Sequence, residues 1–235
     1  MPYIPKNLFA LLLSATLSYA SAPAHTVTIA GTADLQGMME PVVGKYDLDF
    51  DGKKEEMTLG GISRIATVFK ALKAKNPATV TVSTGDDLMN RFFHTYKGKA
   101  ILGLMSDAGY ELIVFGNHEF DKGSAVLAKA LEGTQFDVIC SDLNVSHSAL
   151  KGKCKPWLIK DLDGVKVGFF SLITEDLPVV SAERNVTMSG DNVTTAKKMV
   201  RQLRENGANV IVALTQPISD TKRTANSPSR SKGST

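Results

Sequence analysis

Apolar residues fall along this chain in short, separated runs, and the period within each run predicts its element. Thr26-Val27-Thr28-Ile29-Ala30 alternates with β-branched residues and reads as a strand, ending at Asp34-Leu35-Gln36-Gly37. A polar insert follows, where Asp51-Gly52 predicts a tight hairpin turn between strands Tyr46–Phe50 and Lys54–Thr58. Gly60-Gly61 opens an amphipathic helix with Ile62, Ile65, Ala66, Phe69 and Leu72 on one face, and Asn76-Pro77 stops it. Val80–Ser83 is the next strand and ends at Gly85-Asp86-Asp87. A helix over Lys99–Asp107 closes at Gly109, and Leu112-Ile113-Val114-Phe115 reads as a short buried strand. Ser124 is placed to cap a helix over Ala125–Leu131, and Val138–Cys140 is strand-like. Trp157–Lys160 and Val165–Leu172 flank Asp163-Gly164 as a second hairpin. Thr194 or Thr195 is placed to cap a helix over Ala196–Glu205, which ends at Gly207. Asn209–Leu214 reads as a buried strand that runs out at Thr215-Gln216.

The pattern breaks at both ends. Lys6, an apolar run from Leu8 to Leu17 and small residues through Ala24 form the three regions of a signal peptide over 1–24, cleaved after Ala20 or Ala24. The run is too short to span a bilayer, so the expectation is a periplasmic or secreted protein without a membrane span. Beyond Pro217 the chain turns to Ser, Thr, Asn, Lys, Arg and Pro without an apolar period, which predicts a disordered tail over 217–235. Between them, 25–216 alternates strands and helices and forms one α/β domain. Across 235 residues the apolar share of 43% and charged share of 22% are those of a soluble globular protein. A net charge of +3 is too small to argue for nucleic acid. Cys140 and Cys154 flank a loop-like segment in a chain marked for export, which predicts a disulfide, the alternative being two buried thiols.

Chemistry concentrates where strands end. Asp34 with Gln36, Asp86 with Asp87, and Asn117 with His118 each follow one of the first three core strands. In open α/β folds ligands gather at such carboxyl ends. Carboxylate and amide oxygens meeting at one sheet edge make a site for divalent cations, and a carboxylate such as Asp86 can bridge two of them. Asn117 offers a neutral oxygen, His118 a titratable donor, and Asp121 a carboxylate able to fix the imidazole tautomer. His25, His94 and His147 have no such context.

Asp34-Leu35-Gln36-Gly37, Gly60-Gly61 with its helix, Gly85-Asp86, Gly116-Asn117-His118-Glu119-Phe120-Asp121-Lys122-Gly123 and Val210–Gln216 together resemble the calcineurin-like metallophosphoesterases, in their secreted 5′-nucleotidase branch. The resemblance runs from Thr28 to Leu214 and implies a four-layer α/β/β/α sandwich around a binuclear metal site. It implies that Asp34 binds the first metal, Asp86 bridges, and Asn117 binds the second. His118 would then serve the phosphoryl transition state with Asp121 orienting its ring, and a phosphate ester or nucleotide would be the substrate. The family's His positions are Gln36 and Gln216 here, and its later Gly-His-x-His segment and C-terminal domain have no counterpart. The expectation is therefore a partial domain, incomplete at its C-terminus by truncation or frame-shift. With Gln36 beside Asp34 and Asp86 the first ligand set is all oxygen, which predicts Mn²⁺ or Mg²⁺ over Zn²⁺. Two readings follow: a phosphoester hydrolase, or an inactive fragment or pseudoenzyme that keeps the fold and weak cation or phosphate binding.

Overall fold

The computed structural model describes residues 25–181 and 183–216. The predicted signal peptide and tail lie outside the described residues. In chain order the elements are β1 (Thr28–Thr32), β2 (Val42–Tyr46), β3 (Glu55–Leu59), α1 (Ile62–Lys75), β4 (Thr79–Ser83), α2 (Asn90–Tyr96), α3 (Lys99–Asp107) and β5 (Leu112–Val114). There follow α4 (Ser124–Ala130), β6 (Asp137–Ile139), β7 (Leu143–Asn144), β8 (Leu158–Leu162) and β9 (Val165–Ile173). Then come α5 (Leu177–Val180), β10 (Thr187–Met188), α6 (Asn192–Glu205) and β11 (Val210–Gln216).

Two sheets carry the domain. The first, ordered β1-β4-β5-β6, is wholly parallel, and the second, ordered β11-β9-β8, joins an antiparallel hairpin to a parallel edge strand. Parallel strands covered on both faces must be apolar or internally bonded throughout, and every residue of β4 and β5 is buried. Alternate side chains then sort the layers. Val80, Val82, Leu112 and Val114 meet Val167, Phe169 and Leu214 between the sheets. On the other face of the first sheet, Ile113 and Val138 pack with Phe69, Ile101, Met105 and Leu127 of the helices. Phe170 packs outward on Met199 and Leu203 of α6. The order of layers is α/β/β/α, the architecture that the resemblance implies.

Several boundaries differ from expectation. The first hairpin pairs Tyr46 with Glu55 and Val42 with Leu59, so the turn is not two residues but the loop 47–54. Within it Asp47 accepts the Gly52 N–H at 3.0 Å and Asp51 the Lys53 N–H at 2.7 Å. These short acidic side chains take backbone donors that would otherwise extend the ladder. Ser124 does not cap α4. Gly123, at φ 80°, holds that position, and the Ser124 N–H donates to Glu183 instead. The last helix begins at Asn192 rather than Ala196, because Asp191, not a threonine, caps it by accepting the Thr194 N–H at 2.8 Å. The strand expected at Asn209–Leu214 is an edge strand, in which only Leu214 and Gln216 are buried. Among the described residues no helix is long and apolar enough to cross a membrane.

Cys140 and Cys154 are joined in a disulfide across 14 residues, with Cα atoms 5.9 Å apart. The bond ties the end of β6 to the segment that leads into β8. On the chain-entropy account, closing a loop of this size contributes about 3 kcal/mol. Replacing both cysteines by Ser is expected to lower the urea-derived unfolding free energy by about that amount. Thiol counting on the unreduced, denatured parent should find no free thiol.

Candidate functional site

Three loops at the carboxyl ends of β1, β4 and β5 build the site. Beyond the strands their backbones stay bonded: the Asp34 N–H donates to the Gly85 carbonyl at 3.0 Å, Gln36 to Asp86 at 3.0 Å and Gly37 to Asp87 at 2.7 Å. Three side-chain-bearing residues here hold left-handed backbone, Asp34 at φ 53°, Gln36 at 48° and Asp86 at 54°. Such conformations persist only where surrounding contacts over-determine them. Gly85, at φ 95°, lies so close to Gly116 that a Cβ would strike the Phe115 carbonyl carbon at 2.7 Å.

These turns aim side chains at one point. The Gln216 amide nitrogen, arriving at the end of β11, donates to Asp86 Oδ2 at 2.6 Å and lies 3.3 Å from Asp34 Oδ1. Gln216 is 7% exposed, and its Oε1 is buried without a partner. The His118 N–H donates to Asp86 Oδ1 at 3.0 Å, and His118 Nδ1 meets Asp121 Oδ2 at 2.9 Å. Asn117, also nearly buried, sits between Gly116 and His118 on that loop. Gln36 enters through its backbone: its carbonyl accepts the Asn90 side-chain amide at 2.6 Å. The structure thus unites Asp34, Asp86 and Gln216, adds the His118–Asp121 pair, and places Gln36 alongside.

Sequence reasoning missed Glu119. Its carboxylate, 3% exposed, accepts four backbone N–H groups: Gly116 at 2.7 Å, Asp87 at 2.8 Å, Asp86 at 3.0 Å and Leu88 at 3.1 Å. It stands within the Gly116–Gly123 motif, but nothing local gives its role, since three of its partners lie some thirty positions earlier on another strand end. Asp87 is equally deep; Ser83 donates to its Oδ2 at 2.6 Å, and its Oδ1 has no partner.

Burial dominates the electrostatics. It raises the Asp86 carboxyl above the usual range, against the opposing His118 N–H bond. It raises the Asp87 and Glu119 carboxyls above the usual range, with neighbouring carboxylates adding to the shift, while backbone N–H bonds to Glu119 oppose it. Among the described residues no lysine or arginine pairs with Asp34, Asp86, Asp87 or Glu119. Asp34 is exposed, but Asp86, Asp87 and Glu119 are buried, and buried carboxylates without a cationic partner are costly unless a cation joins them. Half a turn of the Gln216 amide exchanges Nε2 for Oε1 and leaves three oxygens converging, a donor set suited to a hard divalent cation. A second acidic group, Asp47, Asp49 and Asp51, lies on the exposed β2–β3 loop.

No protein-family model matches the chain. It is 28% identical to the snake venom 5′-nucleotidase of Gloydius brevicauda over 210 residues, 87% of this chain and 35% of that protein. It is 27% identical to the NAD 5′-nucleotidase of Haemophilus influenzae over 213 residues, 88% of this chain and 35% of that one. A solved 5′-nucleotidase precursor of Thermus thermophilus superposes with a TM-score of 0.71 at 31% identity, over 80% of this chain and 36% of its own. The chain spans about a third of the length of these relatives. Related sequence along most of the chain and the shared layered architecture agree, and both are consistent with an N-terminal metallophosphatase domain of the 5′-nucleotidase family.

Proposed function

We propose that the chain is a metal-dependent phosphoester hydrolase of the 5′-nucleotidase type, acting on phosphate monoesters such as nucleotides. One observation carries this reading: the Asp34 and Asp86 carboxylates meet the Gln216 amide beside a His118–Asp121 pair that is itself bonded to Asp86. A divalent cation would be held by Asp34, Asp86 and Gln216, with Asn117 on the adjoining loop, and it supplies Lewis acidity and a more acidic bound water. Asp121 Oδ2 accepts a hydrogen bond from His118 Nδ1–H and orients the ring, which turns Nε2 toward charge developing on the phosphoryl or leaving oxygen. The venom relatives and the disulfide support a secreted or periplasmic setting. The net charge of +3 gives no argument for nucleic acid, and a small phosphate ester is the expected partner.

A second reading has its own observation. The Gln216 NH₂ already bonds both carboxylates, so the domain could bind a cation or phosphate without turnover. Metal-stripped protein given Mn²⁺, Mg²⁺ or Zn²⁺ with an aryl phosphate and a nucleoside monophosphate decides between them. Release of inorganic phosphate with Mn²⁺ or Mg²⁺, and less with Zn²⁺, is the expected result. Bound metal without release favours the second reading. Clearly tighter zinc binding would contradict the ion preference.

A further inference from the structure

We infer that Glu119 is a positioning residue: it fills an anion hole made of backbone N–H groups, and so turns the Asp86 loop from an anion receptor into a cation receptor. The inference rests on the cation site proposed above. Three successive N–H groups, those of Asp86, Asp87 and Leu88, point to one side of their loop, and the Gly116 N–H joins them from the next. Convergent backbone donors of this kind ordinarily hold a phosphate or a free carboxylate. Here each Glu119 oxygen accepts two of them, Oε2 those of Gly116 and Asp86 and Oε1 those of Asp87 and Leu88. The hole is closed from within the protein, and at 3% exposure no solute shares it.

The geometry then follows from the loop's two faces. With its N–H groups turned back toward Glu119, the left-handed turn at Asp86 sends that carboxylate the other way, toward Asp34 and Gln216. The same carboxylate of Glu119 locks Gly116 against the Asp86 loop, which brings the His118 N–H onto Asp86 Oδ1. Glu119 therefore fixes the relative placement of two site loops without itself reaching the cation.

The test is Mn²⁺ affinity, measured by calorimetric titration of metal-stripped protein. Glu119→Gln keeps the shape but aims an NH₂ at two N–H donors, and should weaken Mn²⁺ binding by about 10–100-fold, the usual cost of losing a group that orients a ligand. Glu119→Ala should lose as much, and formate in excess should restore binding to this variant while leaving the parent unmoved. A merely structural role would not show such rescue. A folded Glu119→Gln that binds Mn²⁺ like the parent overturns the inference. So does formate that strengthens parent and Glu119→Ala alike. Should Glu119→Ala fail to fold, the isosteric Gln variant carries the decision. A parent protein that binds no Mn²⁺ fails earlier, at the proposed site itself.

Discussion

Replacing His118 by Asn is expected to lower phosphate ester turnover by roughly 10²–10⁴-fold while leaving bound metal unchanged. The imidazole is held from behind by Asp121 at 2.9 Å, while its own backbone N–H supports Asp86. Asn keeps that N–H, so Asp86 should stay in place. On the proposed role, what disappears is the imidazole Nε2 that would meet charge forming only in the transition state. The loss should fall on kcat rather than KM. Asp121→Asn should cost less, because a poorly oriented ring still carries its proton. Steady-state kinetics beside elemental analysis of the same preparations checks both. Metal lost along with His118, or full activity retained, would refute the assignment.

Gly116→Ala is expected to abolish high-affinity cation binding, with an apparent loss of about 100-fold or more, the upper range for displaced ligand support. Gly116 does not need unusual backbone. It needs the absence of a side chain, because a Cβ there would overlap Asp86 Oδ1 and stand 2.7 Å from both Asp86 Cγ and its backbone nitrogen. Backbone and a carboxylate held by the His118 N–H cannot yield without moving the ligand. Gly103→Ala is the control, since that residue lies in α3 with open space around it. Alanine there should be neutral or stabilise slightly, as it does in helix interiors. Metal titration of both variants, with melting curves taken in chelator, separates ligand displacement from unfolding. A Gly116→Ala protein that binds metal normally would show that the loop relaxes.

Much of this was legible in the chain because buried parallel strands write themselves as apolar runs ending in polar residues. β4, β5 and the loops at Asp34, Asp86 and Asn117 were readable for that reason, as was α3, whose bounds match its apolar period. The stacking of two sheets was not readable from period and came from the family resemblance. α2 was missed because Asn90-Arg91-Phe92-Phe93-His94-Thr95-Tyr96 contains few strong helix formers. Its start is fixed by the Asn90 side chain accepting the Phe92 N–H at 2.7 Å, and its packing by buried Phe93. Helix starts slipped wherever Ser, Thr and Asp competed for one cap, as at Asp191 and Thr194. Glu119 and Gln216 were the hardest to place, since each takes its role from a strand end far away in sequence.

Gln216 has a consequence for the order of events in folding. Its bond to Asp34 spans 182 positions and joins the edge of one sheet to a loop of the other. A contact of such separation forms only after β11 has docked on β9 and both sheets have met, because loop closure must be met before the contact returns anything. The ligand set proposed above would thus be complete only once β11 is in place. A cation bound there would not guide the early chain. It would capture β11 only after that strand has docked, slowing its departure.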